Sequence, residues 1–143
     1  QRDMLAISWR QWLTKRVLAS HGIDTPRGRL FTQRDLPDVN KLDGFLGGSL
    51  GVPIPAIVKP NFEGSSKGIS DESVARDWKT LRTVVGKMLD QYPQGVLVEE
   101  YISGIDVTVP FVEGIGEPAN EGVLAPVEYV IDSSVRSKYL PMT

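Results

Sequence analysis

One sequence feature constrains the fold and function of this chain most. It is a short apolar run that ends in a lysine and leads into a glycine- and serine-rich loop. Residues 56–69 read AIVKPNFEGSSKGI. The apolar residues predict a buried strand over 56–59, and Pro60 ends the ladder because proline has no backbone N–H to donate. A loop of this composition can offer backbone N–H groups and hydroxyls to an anion beside the charge of Lys59. The segment therefore indicates a phosphate-binding site.

Four residues of the loop contribute to this interpretation. Gly64 and Gly68 let the backbone approach a phosphate closely, and Ser65 and Ser66 add hydroxyl donors. The loop matches neither the G-x-x-x-x-G-K-[ST] nor the G-x-G-x-x-G spacing. A solvated lysine followed by an ordinary flexible loop is the alternative that these residues also allow.

The composition of the chain excludes several classes of function and site. The 143 residues suffice for one domain with a core, and the formal net charge of -2 gives no general attraction to nucleic acid or to anionic membrane. With no cysteine, disulfides and thiolate metal sites are excluded. No apolar run approaches a membrane span and no segment resembles a signal peptide, so we expect a cytoplasmic protein. Because the sequence starts at Gln1 without methionine and ends without an obvious closing element, we expect a portion of a longer polypeptide.

Hydrophobic periodicity predicts three helices. A helix over 9–20 is followed by Gly22 as its C-cap, and a second helix over 78–91 is capped by Asp77 and ended by Pro93. The periodicity over 42–50 supports a third, short helix only weakly. The apolar stripes place Trp9, Trp12 and Trp78 in the core, and the basic pair Lys15-Arg16 is predicted to lie on a solvated face.

Strand-like segments follow the second long helix closely. Their order and the glycine-rich turns between them predict an α+β fold with a largely antiparallel sheet. Besides 56–59, strands are predicted over 29–32, 73–75, 96–98, 107–112 and 123–131.

The strand over 96–98 runs into a polar segment, VLVEEYISGID. Glu99 and the backbone of its neighbours Glu100, Tyr101 and Ile102 could bond the edge of an adenine base, with Tyr101 or Ile102 packed on its face. Asp106 could accept hydrogen bonds from ribose hydroxyls. A hairpin with solvated acidic ends is the alternative explanation of the same pattern.

The combination and order of these motifs resemble the ATP-grasp enzymes, and among them the D-alanine–D-alanine ligase family. VKPNFEGSSKGIS is similar to the strand, lysine and glycine-rich loop of that family, and VLVEEYISGIDVTV to its adenine hinge and ribose carboxylate. LTKRVLASHGIDTP and VLAPVEYVID are similar to further segments. The resemblance implies a central ATP-binding portion, the lid subdomain, with a mainly antiparallel sheet, two packed helices and incomplete ends. Its parts would be 1–55 (helix and connection), 56–132 (lid sheet, with the helix at 77–91) and 133–143 (tail).

The resemblance also implies roles for the individual residues. Lys59 would contact ATP phosphates, the loop of Glu63, Gly64, Ser65, Ser66 and Gly68 would close over them, and Ser65 would act in catalysis near the reacting phosphate. Glu99, Glu100, Tyr101 and Ile102 would frame the adenine, and Asp106 would bind the ribose. A carboxylate would take the γ-phosphoryl group of ATP, and an amine would then displace phosphate from the acyl phosphate. Magnesium would be bound by residues outside this chain, the substrates would be small amino acids, and the full-length protein would be a homodimer.

Two positions depart from the family pattern. The Asp-Lys pair at the start of the family's first helix is matched here by Arg10-Gln11, and the ribose glutamate is matched by Asp106, which is one methylene shorter. Two alternatives stay open, the first because nothing in this segment reads a substrate side chain and the second because of Gln11. One is an ATP-grasp ligase for another amino acid or peptide, and the other is a nucleotide-binding pseudo-ligase that acts as an interaction module.

Overall fold

The computed structural model describes residues 10–35, 51–115 and 122–129. The predicted helix over 42–50, Trp9 and the last two residues of the strand predicted over 123–131 lie outside these ranges. The described residues divide into two compact units, of which the first comprises those up to Ile102. The second unit comprises those from Ser103 onward.

The first unit is built on a four-stranded antiparallel sheet, with strands in the order Gly28–Phe31 (β1), Val96–Glu100 (β4), Ala56–Pro60 (β2) and Val74–Ala75 (β3). Within the described residues two α-helices accompany the sheet, so the α+β prediction with a mainly antiparallel sheet is confirmed. The elements are α1 (Gln11–Ser20), β1 (Gly28–Phe31), a 3-10 helix (Gln33–Asp35), β2 (Ala56–Pro60), a 3-10 helix (Asp71–Ser73), β3 (Val74–Ala75), α2 (Trp78–Gln91) and β4 (Val96–Glu100).

The hydrophobic core lies between α2 and one face of this sheet. Successive side chains of a strand point to opposite faces, so alternate residues of β2 and β4 meet the helix. The partly buried Trp78 packs against this cluster, as its place in the apolar stripe predicts. The cluster contains Phe31, Val52, Ala56, Val58, Ala75, Leu81, Val85, Met88, Leu89, Val96 and Val98.

The ends of α2 follow the sequence signals. Asp77 accepts a hydrogen bond from the backbone N–H of Thr80 at 2.8 Å, and Pro93 follows the last turn. This bond, together with one from the Thr80 hydroxyl, lowers the pKa of Asp77. A carboxyl group whose pKa is lowered by folding stabilises the fold at pH values above its ordinary pKa. That contribution is lost as the pH falls through the lowered pKa of the folded protein. The cap of α2 is therefore fully effective at neutral pH.

Helix α1 differs from α2 because none of its residues is buried. It begins at Gln11 rather than at residue 9 and ends in a Schellman motif, with Ile23 N–H donating to Leu18 C=O and Gly22 N–H to Ala19 C=O. Gly22 takes a φ of 73°, as its predicted role at the helix end requires. Trp12 is only half-buried, which is less than a core position predicts. Polar contacts attach this helix to the sheet.

The second unit contains a two-stranded antiparallel ribbon, β5 (Asp106–Thr108) paired with β6 (Val127–Tyr129). Strand β5 is thus shorter than the predicted strand over 107–112 and starts one residue earlier. Phe111 forms only an isolated bridge with Val123. Apolar side chains of this ribbon, including Val107 and Phe111, are largely exposed. Over the described parts of the chain, no helix has the length and apolar character required to cross a membrane.

Replacing Leu81 tests the packing of α2. Leu81 is 1% exposed within the core cluster, so Leu81→Ala leaves a cavity and should lower the free energy of unfolding by about 2–5 kcal/mol. Urea unfolding followed by circular dichroism measures the change. Lys87→Ala, at an exposed position of the same helix, should stay within about 0.5 kcal/mol of wild type. Equal effects of the two variants would contradict the assigned core face.

Candidate nucleotide-binding site

The sheet face opposite α2 carries a cleft instead of a second apolar core. Register places Lys59 beside Leu97 and Ile57 beside Glu99, so these four residues share that face. Helix α1 lies across the same cleft, whose volume is about 370 Å³. The residues around it include Gln11, Thr14, Lys15, Lys59, Leu97 and Glu99.

A carboxylate bound by two lysines lies within this cleft. Glu99 Oε2 is 3.0 Å from Lys15 Nζ, and Glu99 Oε1 pairs with Lys59 Nζ. The Glu99 side chain is only 7% exposed, so its charge would be costly without these partners. The structure therefore brings the predicted phosphate lysine and the first predicted hinge residue into direct contact, which their separation by 40 positions did not reveal.

Lys15 was predicted to lie on a solvated face, and that prediction is wrong. Its side chain is 12% exposed, and its ammonium donates to the backbone carbonyl of Pro26 as well as pairing with Glu99. The Lys15 stem can lie along the sheet while its ammonium reaches both acceptors, a placement that long basic side chains permit. Its neighbour Arg16 is exposed, as predicted. Helical geometry alone places Lys15 and Arg16 on different sides of the helix, because consecutive helical residues differ by about 100° in direction.

Gly28 provides the space that Glu99 requires. The two residues are direct partners in the β1–β4 register. A Cβ atom on Gly28 would lie 2.8 Å from Glu99 Cβ and 2.9 Å from the Val98 carbonyl oxygen. Only glycine allows β1 to approach β4 this closely at that point, and this requirement was not apparent in the sequence.

The loop after β2 has an unusual backbone conformation. Ser65 and Ser66 have φ values of 51° and 57°, in the left-handed region that residues other than glycine seldom adopt. The turn is closed by Lys67 N–H donating to Gly64 C=O and by Ile69 N–H donating to Ser66 C=O. Non-glycine residues in this conformation cluster at ligand-binding and catalytic positions, which agrees with the roles predicted for both serines.

An ion pair within the loop ties it together. Lys67 Nζ lies 3.0 Å from Glu63 Oε2 across one turn. The hydrogen bond that the Lys67 ammonium donates to the Glu63 carboxylate, aided by the negative charge of Glu63, raises the pKa of Lys67. Because the pKa of Lys67 is raised, the pair contributes fully to stability at pH values below the ordinary lysine pKa. The contribution is lost only as the pH rises through the raised pKa. The contact is therefore intact at neutral pH.

Gln11 joins the start of α1 to this loop. Its side-chain Nε2 donates to the carbonyl of Pro60 at 3.1 Å and to that of Glu63 at 3.0 Å. The backbone N–H groups of Gln11 and Trp12 donate to the buried Asn61, through its backbone oxygen at 3.1 Å and its Oδ1 at 2.9 Å. Sequence reasoning treated Gln11 only as a departure from a family pattern and did not single out Asn61. Neither contact has a local sequence signal, since the partners lie about 50 positions apart.

The two loop glycines have different environments, although the same role is predicted for both from the sequence. Gly68 has a φ of 78°, and a Cβ atom there would lie 2.7 Å from the Pro60 ring and 2.7 Å from the Tyr92 hydroxyl. Gly64 has open space at the corresponding position. Gly68 therefore serves the packing of the loop base, while Gly64 leaves the surface of the loop accessible.

The residues from the end of β4 onward are only partly buried or exposed. Glu100 pairs with Arg27 at 3.4 Å, and Tyr101 N–H donates to the Pro55 carbonyl at 2.9 Å. Ile102 is 63% exposed at the end of the first unit. The backbone N–H groups of Glu100 and Tyr101 are thus both bonded within the protein, that of Glu100 to the Arg27 carbonyl at 2.8 Å.

Asp106, the predicted ribose residue, belongs to the second unit. It is the first residue of β5 and is paired in register with Tyr129. Its residue surface is exposed. Within the described ranges, no group of three or more histidine, aspartate, glutamate or cysteine residues could hold a metal ion.

This arrangement defines the class of the protein. A strand-end lysine, a loop with left-handed serines and a neighbouring antiparallel strand that ends in Glu-Glu-Tyr-Ile belong to an ATP-grasp fold. The crystal structure of the D-alanine–D-alanine ligase from Bacillus anthracis complexed with ATP matches with a TM-score of 0.61 and 20% identity, over 96% of this chain and 40% of that one. The corresponding ligase from Helicobacter pylori matches with a TM-score of 0.54 and 28% identity, over 71% of this chain and 29% of that one.

The chain belongs to the D-ala D-ala ligase C-terminus family, whose model matches residues 17–137. A D-alanine–D-alanine ligase of Gloeobacter violaceus is 34% identical over 116 residues, which cover 81% of this chain and 35% of that protein. The chain spans about a third of the length of the curated relatives it matches.

Releasing the Gln11 contacts should loosen the loop. Gln11→Ala removes two hydrogen bonds to the loop base, and a loss of about 1 kcal/mol raises the population of the open loop about fivefold. Limited trypsin digestion should therefore cleave faster after Lys67. Gln33→Ala, which removes a similar bond to the Leu89 carbonyl, should leave that cleavage unchanged. Unaltered cleavage in Gln11→Ala would show that Gln11 does not hold the loop.

The two glycines provide a matched pair of substitutions. Gly68→Ala should lower the free energy of unfolding by at least about 1–2 kcal/mol, because a side chain in the left-handed region is disfavoured and this one also meets Pro60 and Tyr92. Gly64→Ala should stay within about 0.5 kcal/mol of wild type. Thermal unfolding measures both. A larger loss for Gly64→Ala than for Gly68→Ala would contradict the described loop conformation.

Proposed function

We propose that the full-length protein is an ATP-dependent carboxylate–amine ligase that joins two D-alanine molecules for peptidoglycan of the cell wall. The observation that carries this proposal is the pairing of Lys59 with Glu99 on the cleft face, next to the loop with Ser65 and Ser66. The family of the chain and its similarity to D-alanine–D-alanine ligases support the same activity. We further propose that the protein works in the cytoplasm as a homodimer.

ATP is the proposed nucleotide, and the residues of the chain suit its parts. Lys59, as a cation at a strand end, can bind phosphate oxygens, and the loop of residues 63–68 can cover them with backbone N–H groups and serine hydroxyls. The half-buried Glu100 and the exposed Ile102 of the hinge would contact the base, and Asp106 would accept hydrogen bonds from the ribose hydroxyls. The similar ligase from Bacillus anthracis was crystallised as a complex with ATP, which supports this choice of nucleotide.

In the proposed reaction ATP supplies the γ-phosphoryl group to a substrate carboxylate, and the amine of a second amino acid then attacks the activated carbonyl and releases phosphate. Phosphoryl transfer of this kind depends on positioning and charge stabilisation rather than on a protein nucleophile. Lys59 would neutralise phosphate charge, the loop would exclude water, and Ser65 would hold the reacting groups by its hydroxyl. Magnesium would accompany the nucleotide, with ligands from residues outside this chain.

Amino-acid-dependent phosphate release tests the proposal. The full-length protein with Mg-ATP should release phosphate with D-alanine and not with a panel of other D- and L-amino acids. Release only with another amino acid would retain the mechanism and replace the substrate. If the protein binds ATP but releases phosphate with no amino acid, the pseudo-ligase alternative would be favoured.

Lys59→Met should reduce this release at least about a hundredfold, because a charge-stabilising group is lost at the phosphates. The melting temperature should change little, since Glu99 retains Lys15 as a partner. Lys79→Met, which removes a lysine at an exposed position of α2, should leave the rate unchanged. A Lys59→Met protein with the wild-type rate would contradict the phosphate role of Lys59.

A further inference from the structure

Two lysines share one carboxylate in the cleft, and this ratio leaves a positive charge. Each oxygen of Glu99 has its own ammonium partner, Lys15 for Oε2 and Lys59 for Oε1. Two ammonium groups and one carboxylate carry a formal charge of +1. Because the side chains are mostly withdrawn from water, this charge is screened less than one at the surface.

The two lysines are not equivalent. Lys15 Nζ has two acceptors, Glu99 and the Pro26 carbonyl, and its side chain is 12% exposed. The Lys59 side chain is 22% exposed and adjoins the phosphate-binding loop. Lys15 is therefore held in place, while Lys59 is the better placed of the two to meet a ligand.

We propose that Lys15 is a positioning residue that sets the charge of the nucleotide cleft. By neutralising Glu99, it leaves the charge of Lys59 available to the phosphates. This inference rests on the proposed nucleotide binding. Without Lys15, Glu99 would compensate Lys59 completely and the cleft would be neutral.

The proposal predicts a loss that grows with the number of phosphates on the ligand. Lys15→Met in the full-length protein should raise the dissociation constant for ATP about tenfold or more and that for ADP by less, because only the attraction between charges changes. Binding of adenosine, which has no phosphate, should stay within about twofold. Isothermal titration calorimetry at constant ionic strength measures all three affinities.

Three variants serve as controls for this effect. Lys15→Arg keeps the charge and should preserve the preference for ATP over adenosine. Arg16→Met removes a charge from an exposed position of the same helix and should not alter that preference. In the double variant Lys15→Met/Glu99→Gln the cleft again carries one positive charge, from Lys59, so the preference should return toward the wild-type value.

The outcomes separate this proposal from the proposed function. If Lys15→Met weakens adenosine and ATP equally, or if the double variant fails to recover the preference, Lys15 has only a structural role and the inference is overturned. The proposed function would survive either result. If the wild-type protein binds neither adenosine nor ATP, the proposed function and this inference fail together.

Discussion

The buried carboxylate of Glu99 is the interaction on which the first unit depends. A carboxylate with 7% of its side chain exposed requires compensation, and it obtains it from one lysine on the sheet and one on α1. No residue of α1 is fully buried, so polar contacts are prominent in its attachment to the sheet. The ion pair to Lys15 and the hydrogen bonds from Gln11 and Trp12 hold it against the sheet.

The sheet consequently has two faces with different purposes. One face is apolar and covered by α2, and its alternating residues form the core. The other face carries Lys59 and Glu99 between apolar neighbours and opens into the cleft. The core supplies a rigid support, and rigid strands place the charged groups more accurately than a loop could. The loop after β2 then extends from this support with its first residues bonded to α1 and its end packed through Gly68.

The structure also explains the departure from the family pattern at Gln11. The amide of Gln11 does not supply a charge, and its bonds to Pro60 and Glu63 show that it acts on the loop backbone. A second cation is nevertheless present in the cleft, because Lys15 lies one helical turn further along α1 and points to Glu99. Positioning and charge are thus provided by two different residues of the same helix.

The sequence alone was sufficient to predict the strand that carries Lys59, the amphipathic helix with Asp77 as its cap and the α+β class. These features depend on local periodicity and on capping chemistry. It also indicated the loop of residues 63–68 through its glycines and serines. Tertiary structure decided that Lys15 is withdrawn from solvent, that Lys59 and Glu99 are partners, and that Gly28 and Gly68 are required where other chain segments approach. These contacts join residues far apart in the chain, and only the packing of α1 and the strands brings them within bonding distance.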